Sequence, residues 1–141
     1  MRTGIIGAGG IAHAHSNNLA ELEKVSITAV ADIDQQKAID LAAQWGARAV
    51  TDYREFLDEV DAVYVCTPPT IHRQQVEIVA EAGVPIYCEK PLTNSYKTAL
   101  ELANLAEQKG IKTLVGFNYI QNPAHFLARN CLLYTSPSPR D

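Results

Sequence analysis

Apolar residues in this chain gather into six short unbroken runs, and the stretches between them carry apolar residues every three or four positions. The runs are Gly4-Ile5-Ile6, Ser26 to Ala31, Ala49-Val50, Ala62 to Cys66, Pro85 to Cys88 and Thr113 to Phe117. Runs this short, without polar alternation, read as strands covered on both faces by helices, as in a parallel sheet. The intervening spacing predicts a helix with Ile11, Ala12, His15, Leu19 and Leu22 on one face. Ala38, Leu41, Ala42 and Trp45 mark a second helix, Ile71 to Ala82 a third, and Ala99, Leu102, Ala103 and Ala106 a fourth. A turn of helix is expected from Tyr53 to Leu57. Gly46, Gly83 and Gly110 are natural C-terminal stops, Asp34 is an N-cap, and Thr93 or Asn94 starts the fourth helix. Strands alternating with helices imply right-handed crossovers, so the fold class expected is α/β, a Rossmann-type doubly wound parallel sheet of about six strands. No repeat of solenoid period interrupts this order.

The residues that carry chemistry fall at the carboxyl ends of the predicted strands, the edge where open α/β sheets bind ligands. Gly7-Ala8-Gly9-Gly10-Ile11-Ala12 leads from the first strand into the first helix. Gly7 permits the tight turn, and Gly9 lets the backbone approach a pyrophosphate. Gly10 and Ile11 open a helix whose unpaired N–H groups and dipole favour phosphate, while Ala12 keeps that helix close to the sheet. Asp32 ends the second strand twenty positions past Ala12. An acid there can bond adenosine ribose hydroxyls and repels a 2′-phosphate, so NAD is expected as cofactor in preference to NADP. Capping the next helix is the alternative role for Asp32.

Thr67-Pro68-Pro69 follows the fourth strand, where proline sets the backbone direction of a loop against the nicotinamide ribose or the pyrophosphate of the cofactor. Glu89-Lys90-Pro91 follows the fifth. Removing hydride from a carbinol carbon requires the hydroxyl proton to leave, and an ammonium stabilises the alkoxide character that develops. Lys90 is therefore the candidate catalytic residue, with a surface pairing to Glu89 as the structural alternative. His13 and His15 lie two apart on the first helix and so on different faces, which excludes a metal pair. His15 is expected to pack near the glycine turn. Asn118-Tyr119 suits either substrate contact or packing at a domain junction, and His125 receives no role.

Composition narrows the class without changing it. The 141 residues carry 47% hydrophobic and 20% charged side chains with a net charge of −4, values of a globular chain of about one domain. The charge is mild and unclustered, so neither nucleic acid nor a membrane surface is an expected partner. No stretch approaches the roughly 20 apolar residues of a membrane span. Met1-Arg2-Thr3 enters a strand directly, leaving no room for a signal peptide, and Cys66 and Cys88 read as small buried residues. A cytoplasmic protein is expected.

Gly7 to Ala12 with His15, Ala31-Asp32, Cys66-Thr67-Pro68-Pro69 with His72, and above all Glu89-Lys90-Pro91 resemble the Gfo/Idh/MocA oxidoreductases, from Arg2 to about Arg129. The resemblance implies an enzyme that uses NAD or NADP to oxidise or reduce carbinol carbons of a sugar, inositol or related polyol. It implies cofactor contacts from Thr67, Pro68, His72, Glu89 and Lys90 besides the glycine turn. His72 matches the family histidine three positions beyond the proline pair, with local hydrogen bonding as its alternative role. A second, α+β domain that supplies a catalytic His and often the homo-oligomer interface is implied as well, and has no counterpart here. An NAD-retaining glycosidase and a non-catalytic nucleotide-binding protein are the alternative functions.

Residues 131–141 break sharply from what precedes them. One permitted codon choice for the whole segment spells a transposase adapter used in preparing sequencing libraries, although a natural Ser/Pro-rich tail fits the composition too. The division expected is 1–118 as the dinucleotide-binding domain, 119–130 as the start of a truncated substrate domain and 131–141 as a non-native tail.

Overall fold

The computed structural model describes residues 1–135 and contains one six-stranded parallel sheet. Strand β1 (Arg2–Ile6) is central, with β2 (Ser26–Ala31) and β3 (Arg48–Val50) on one side. On the other lie β4 (Ala62–Val65), β5 (Ile86–Cys88) and β6 (Thr113–Val115), giving the order β3-β2-β1-β4-β5-β6. All five neighbouring pairs run parallel. The chain builds outward from β1 to β3, then returns to place β4 against β1. That reversal of direction opens a crevice between the carboxyl ends of β1 and β4.

Two apolar cores hold helices to opposite faces of the sheet. Ile5, Ile27 and Val30 pack with α1 (Gly10–Ala20) and α2 (Gln35–Trp45) through Ala12, Leu19, Leu41 and Ala42. Ile6, Ala31, Val63, Val65 and Ile86 pack with α3 (Pro69–Glu81) and α4 (Tyr96–Lys109) through Val76, Val79, Ala80 and Leu102. Period-two alternation explains the split, because successive strand residues face opposite sides and both sides are covered. Each fully buried Val, Leu or Ile contributes about 1.5–3 kcal/mol relative to exposure.

The structure moves some boundaries and one helix face. Helix α1 buries Ala12, Ser16 and Leu19, whereas Ile11 is exposed and Leu22 lies beyond the helix end. Ser16 fits the buried stripe because its hydroxyl donates to the Ala12 carbonyl at 2.5 Å. Helix α3 begins at Pro69, two residues earlier than expected, since proline at the first helical position needs no N–H partner. Helix α4 is capped by Ser95 and not by Thr93 or Asn94. Its hydroxyl accepts from Thr98 N, while the Thr93 hydroxyl is taken up by the Ser95 backbone. Along that helix Leu102 and Ala106 are buried but Ala103 is exposed. Gly46, Gly83 and Gly110 close their helices as expected, each with positive φ. Helix α5 (Pro123–Thr135) follows a 3-10 turn at Asn118–Gln121 and continues across the boundary expected after residue 130. The rest of the expected tail, 136–141, lies outside the described residues.

Cys66 and Cys88 are buried free thiols, and burial above all pushes both up to about 12, with the Glu89 carboxylate adding to the effect. Both should resist alkylation by iodoacetamide at pH 8 in the native chain and react on unfolding, as a mass shift would register. The folded state holds these protons more tightly than the unfolded chain, whose thiols titrate near 9. Their contribution to stability is therefore complete below about pH 9 and is lost as pH rises toward 12.

Candidate functional site

Four segments converge on the carboxyl edge of the sheet. At the end of β1, Gly7 has φ +94° and donates its amide to the Ala31 carbonyl at 2.7 Å. A Cβ at Gly7 would stand 2.8 Å from Thr67 Cγ2 and 3.0 Å from the Cys66 carbonyl carbon. Handedness and space both demand glycine there. Gly9 is the extended N-cap of α1, with no side chain bonded across the first turn. A Cβ on Gly9 or Gly10 would meet nothing within 4 Å, so the backbone of this turn faces open space. Ala12 N and His13 N close on the Gly9 carbonyl, and the Gly9, Gly10 and Ile11 amides before them have no partner among the described residues, at the positive end of the helix dipole.

Next to this turn, at the end of β2, the half-buried Asp32 carboxylate accepts from Ala8 N at 2.7 Å and from Asp34 N at 2.9 Å. Asp32 is thus the clasp between the glycine turn and the β2 loop. The cap of α2 is Asp34, whose carboxylate accepts from Gln36 N and Lys37 N.

Both segments line a cleft of about 830 Å³. Gly7, Gly9, Gly10, Ile11, Asp32, Thr67 and Pro68, all singled out from the sequence, contribute to its walls. The wall also includes Ile33, Tyr53 and Arg54 from the β2 and β3 side and Ile71 and Gln75 from α3, which the sequence did not reveal. Ile33, Tyr53 and Arg54 come from separate segments, and the helical spacing of Ile71 and Gln75 on α3 does not say that this face meets a cleft. Two cations at the β2 side are already paired, Lys37 with Asp34 at 3.6 Å and Arg54 with Asp52 at 3.3 Å. Thr67 Oγ1 donates to Gln75 Oε1 at 2.5 Å, which ties the loop after β4 to α3.

His72, Glu89 and Lys90 sit beyond the walls of this cleft, along the same edge. His72 is fully buried; its Nε2 lies 2.7 Å from the Thr67 carbonyl oxygen and its Nδ1 3.1 Å from that of Pro91. It pins the loop after β4 to the loop after β5, the local hydrogen-bonding role.

Glu89 is 5% exposed and engages His15, not the Lys90 ammonium. Glu89 Oε1 lies 2.7 Å from His15 Nε2, while Oε2 accepts the Lys90 amide at 3.1 Å. The His15 ring packs edge-on to Tyr87 at 5.0 Å and against Tyr64 at 5.6 Å, and the two tyrosines stack at 4.5 Å. Tyr87 donates to Asn118 Oδ1 at 3.2 Å. Burial first, and then the nearby Glu89 carboxylate, push the Tyr87 phenol up to about 12. A Cβ on Gly116 would fall 2.5 Å from the Tyr87 hydroxyl and 3.0 Å from Glu89 Oε1, so this cluster needs glycine behind it. Lys90 itself is exposed, joined to Pro91 by a cis peptide bond, and among the described residues its ammonium forms no ion pair. The surface-pair alternative for Lys90 and Glu89 is not what the fold builds. Nor do any described His, Cys, Asp or Glu residues form a metal-holding group, and no described helix is long and apolar enough to cross a membrane.

This geometry agrees with what the chain is similar to. It is 35% identical over 127 residues to the uncharacterized oxidoreductase YrbE of Bacillus subtilis, covering 88% of this chain and 37% of that one. To inositol 2-dehydrogenase of Rhizobium meliloti it is 33% identical, covering 91% and 39% respectively. Among solved structures, GenD2 from gentamicin A biosynthesis in complex with NAD superposes with a TM-score of 0.88 at 32% identity, covering 93% of this chain and 39% of GenD2. KijD10, a 3-ketoreductase from Actinomadura kijaniata in complex with NADP, gives 0.87 at 29% identity, covering 94% and 43%. The chain therefore spans about two-fifths of the length of these relatives. Residues 1–117 match the family's NAD-binding Rossmann domain, and the chain belongs to the Gfo/Idh/MocA oxidoreductases.

Proposed function

We propose that this chain is the nucleotide-binding part of an NAD-linked oxidoreductase acting on a carbinol carbon of a sugar, inositol or related polyol. The observation that carries the reading is the shared cleft at the reversal point of the sheet, with an uncapped helix start and a strand-end carboxylate on its β1 and β2 side and Thr67 and Pro68 on its β4 side. A dinucleotide suits the residues present. The turn from Gly9 to Ile11 offers amides to a diphosphate. Asp32 uses its two backbone bonds to hold its carboxylate steady, and lone pairs remain for ribose hydroxyls. Ile33 and Tyr53 give an apolar surface to the adenine end, and Thr67 and Pro68 shape the opposite wall.

When bound, the nicotinamide ring supplies the acceptor or donor of hydride. Lys90 provides a cation uncommitted to any described carboxylate, suited to steady the developing alkoxide and to share its proton. His72 and Glu89 serve the cofactor at one remove, by holding the loops that carry Thr67 and Lys90. The substrate class rests on relatives such as inositol 2-dehydrogenase and the glucose-6-phosphate 3-dehydrogenase of Bacillus subtilis. The proposal extends to a cytoplasmic homo-oligomer whose second unit starts within 119–130, with 131–141 foreign to it. Amplifying the source locus through the codon for Asn130 tests that division.

Calorimetric titration of the 141-residue chain with each dinucleotide tests the cofactor reading. NAD should bind tighter than NADP by about tenfold or more, because a 2′-phosphate set against the Asp32 carboxylate costs upward of 1.4 kcal/mol. Tighter binding of NADP would overturn the preference, and failure of both to bind would overturn the site.

A further inference from the structure

Behind the cleft, one buried carboxylate touches two elements with separate duties. Glu89 Oε1 meets His15 of α1, the helix whose first turn faces the cleft, and Glu89 Oε2 takes the amide of Lys90. The contact spans 74 positions of sequence, and both side chains are nearly sealed, His15 at 12% and Glu89 at 7% exposure. The pair has little room to adjust independently. The His15 ring is held by Tyr64 and Tyr87, and Gly116 backs Glu89 Oε1 so closely that a methyl group there would stand 3.0 Å away. Packed interiors transmit small displacements rather than absorb them.

We infer that Glu89 and His15 couple occupancy of the glycine turn to the position of the Lys90 loop. Both are positioning residues. His15 senses the seating of α1, and Glu89 passes that seating to the Lys90 backbone through a hydrogen bond on each oxygen. An exposed lysine thereby becomes ordered when a dinucleotide diphosphate fills the turn. The inference rests on the cofactor reading above and adds to it a physical link between the two ends of the site.

Amide exchange in the 141-residue chain, followed by NMR with and without NAD, tests it. The Gly9, Gly10 and Ile11 amides report whether the turn is filled, and the Lys90 amide reports the coupling. In the natural chain, saturating NAD should slow Lys90 exchange by about fivefold or more, the lower range of measured couplings between sites.

His15→Phe keeps the ring but removes the donor, and the Lys90 response should then shrink below about twofold while the turn still fills. His15→Gln places an amide N–H near the former Nε2 and should restore the response. If His15→Phe fails to fold, Glu89→Leu gives the same reading, because an apolar side chain of similar size accepts neither bond. A merely structural role would lower the melting temperature without changing the NAD-dependent difference at Lys90. An undiminished Lys90 response in His15→Phe or Glu89→Leu, or none in the unsubstituted chain while the glycine amides respond, overturns the coupling and leaves the cofactor reading intact. Unresponsive glycine amides at millimolar NAD overturn both.

Discussion

Replacing Gly7 with alanine should cost the domain about 2–5 kcal/mol of stability and weaken NAD binding by at least about tenfold. The left-handed backbone at φ +94° accounts for about 1–2 kcal/mol of that in any residue bearing a Cβ. The remainder comes from contact. The new methyl group would meet Thr67 Cγ2 at 2.8 Å and backbone atoms of Cys66 and Thr67 at 3.0 Å, none of which is the free end of a flexible side chain. Relief requires β1 and β4 to part at their carboxyl ends, where the turn and the Thr67 loop must both be in register for a diphosphate. Thermal melting together with calorimetric titration measures the two effects. A variant that melts within a degree of the natural chain and binds NAD equally well would show that the turn tolerates rearrangement. Gly9→Ala makes the contrast, since a Cβ there meets no protein atom within 4 Å and stability should hardly change.

Lys90→Met is expected to lower kcat by about 10²–10³-fold, the usual effect of removing one group that stabilises developing negative charge. The assay requires a chain continued to the length of its relatives, with the polyol substrate present. Binding of NAD should change by less than about threefold, because the role proposed for the ammonium is at the reacting oxygen and not at the diphosphate. Methionine preserves the length and apolar stem of the side chain, so packing of the loop is little altered. The Lys90 amide bond to Glu89 is untouched by the substitution. Near-normal kcat would remove Lys90 from the chemistry and leave it as a loop residue held in place by its neighbour.

Much of the architecture was legible because it depends on near neighbours. The glycine stops at Gly46, Gly83 and Gly110 work through local left-handed backbone, and the Asp34 cap through amides two and three residues away. The strands were legible because each is buried on both faces and therefore uniformly apolar. Where sequence reading failed, a distant partner had overruled a local preference. Ile11 and Leu22 belong to the apolar spacing of α1, yet the sheet takes Ala12, Ser16 and Leu19, and Ile11 is left to the cleft. For Glu89 the sequence offered no partner other than Lys90, and the fold brings His15 against it. For His72 the sequence left ligand contact and local bonding open, and only the fold brings the Thr67 and Pro91 carbonyls to its ring.

By itself the sequence determined the class of sheet and marked the glycine turn, the acid beside it and the lysine after β5 as candidates, since each follows from backbone freedom or charge at a single place along the chain. Only tertiary structure decided which residues wall the cleft, that Asp32 clasps Ala8, and that Glu89 turns inward to His15. These are relations between surfaces far apart in the chain. Their energies depend on which groups lose water together, and folding alone sets that.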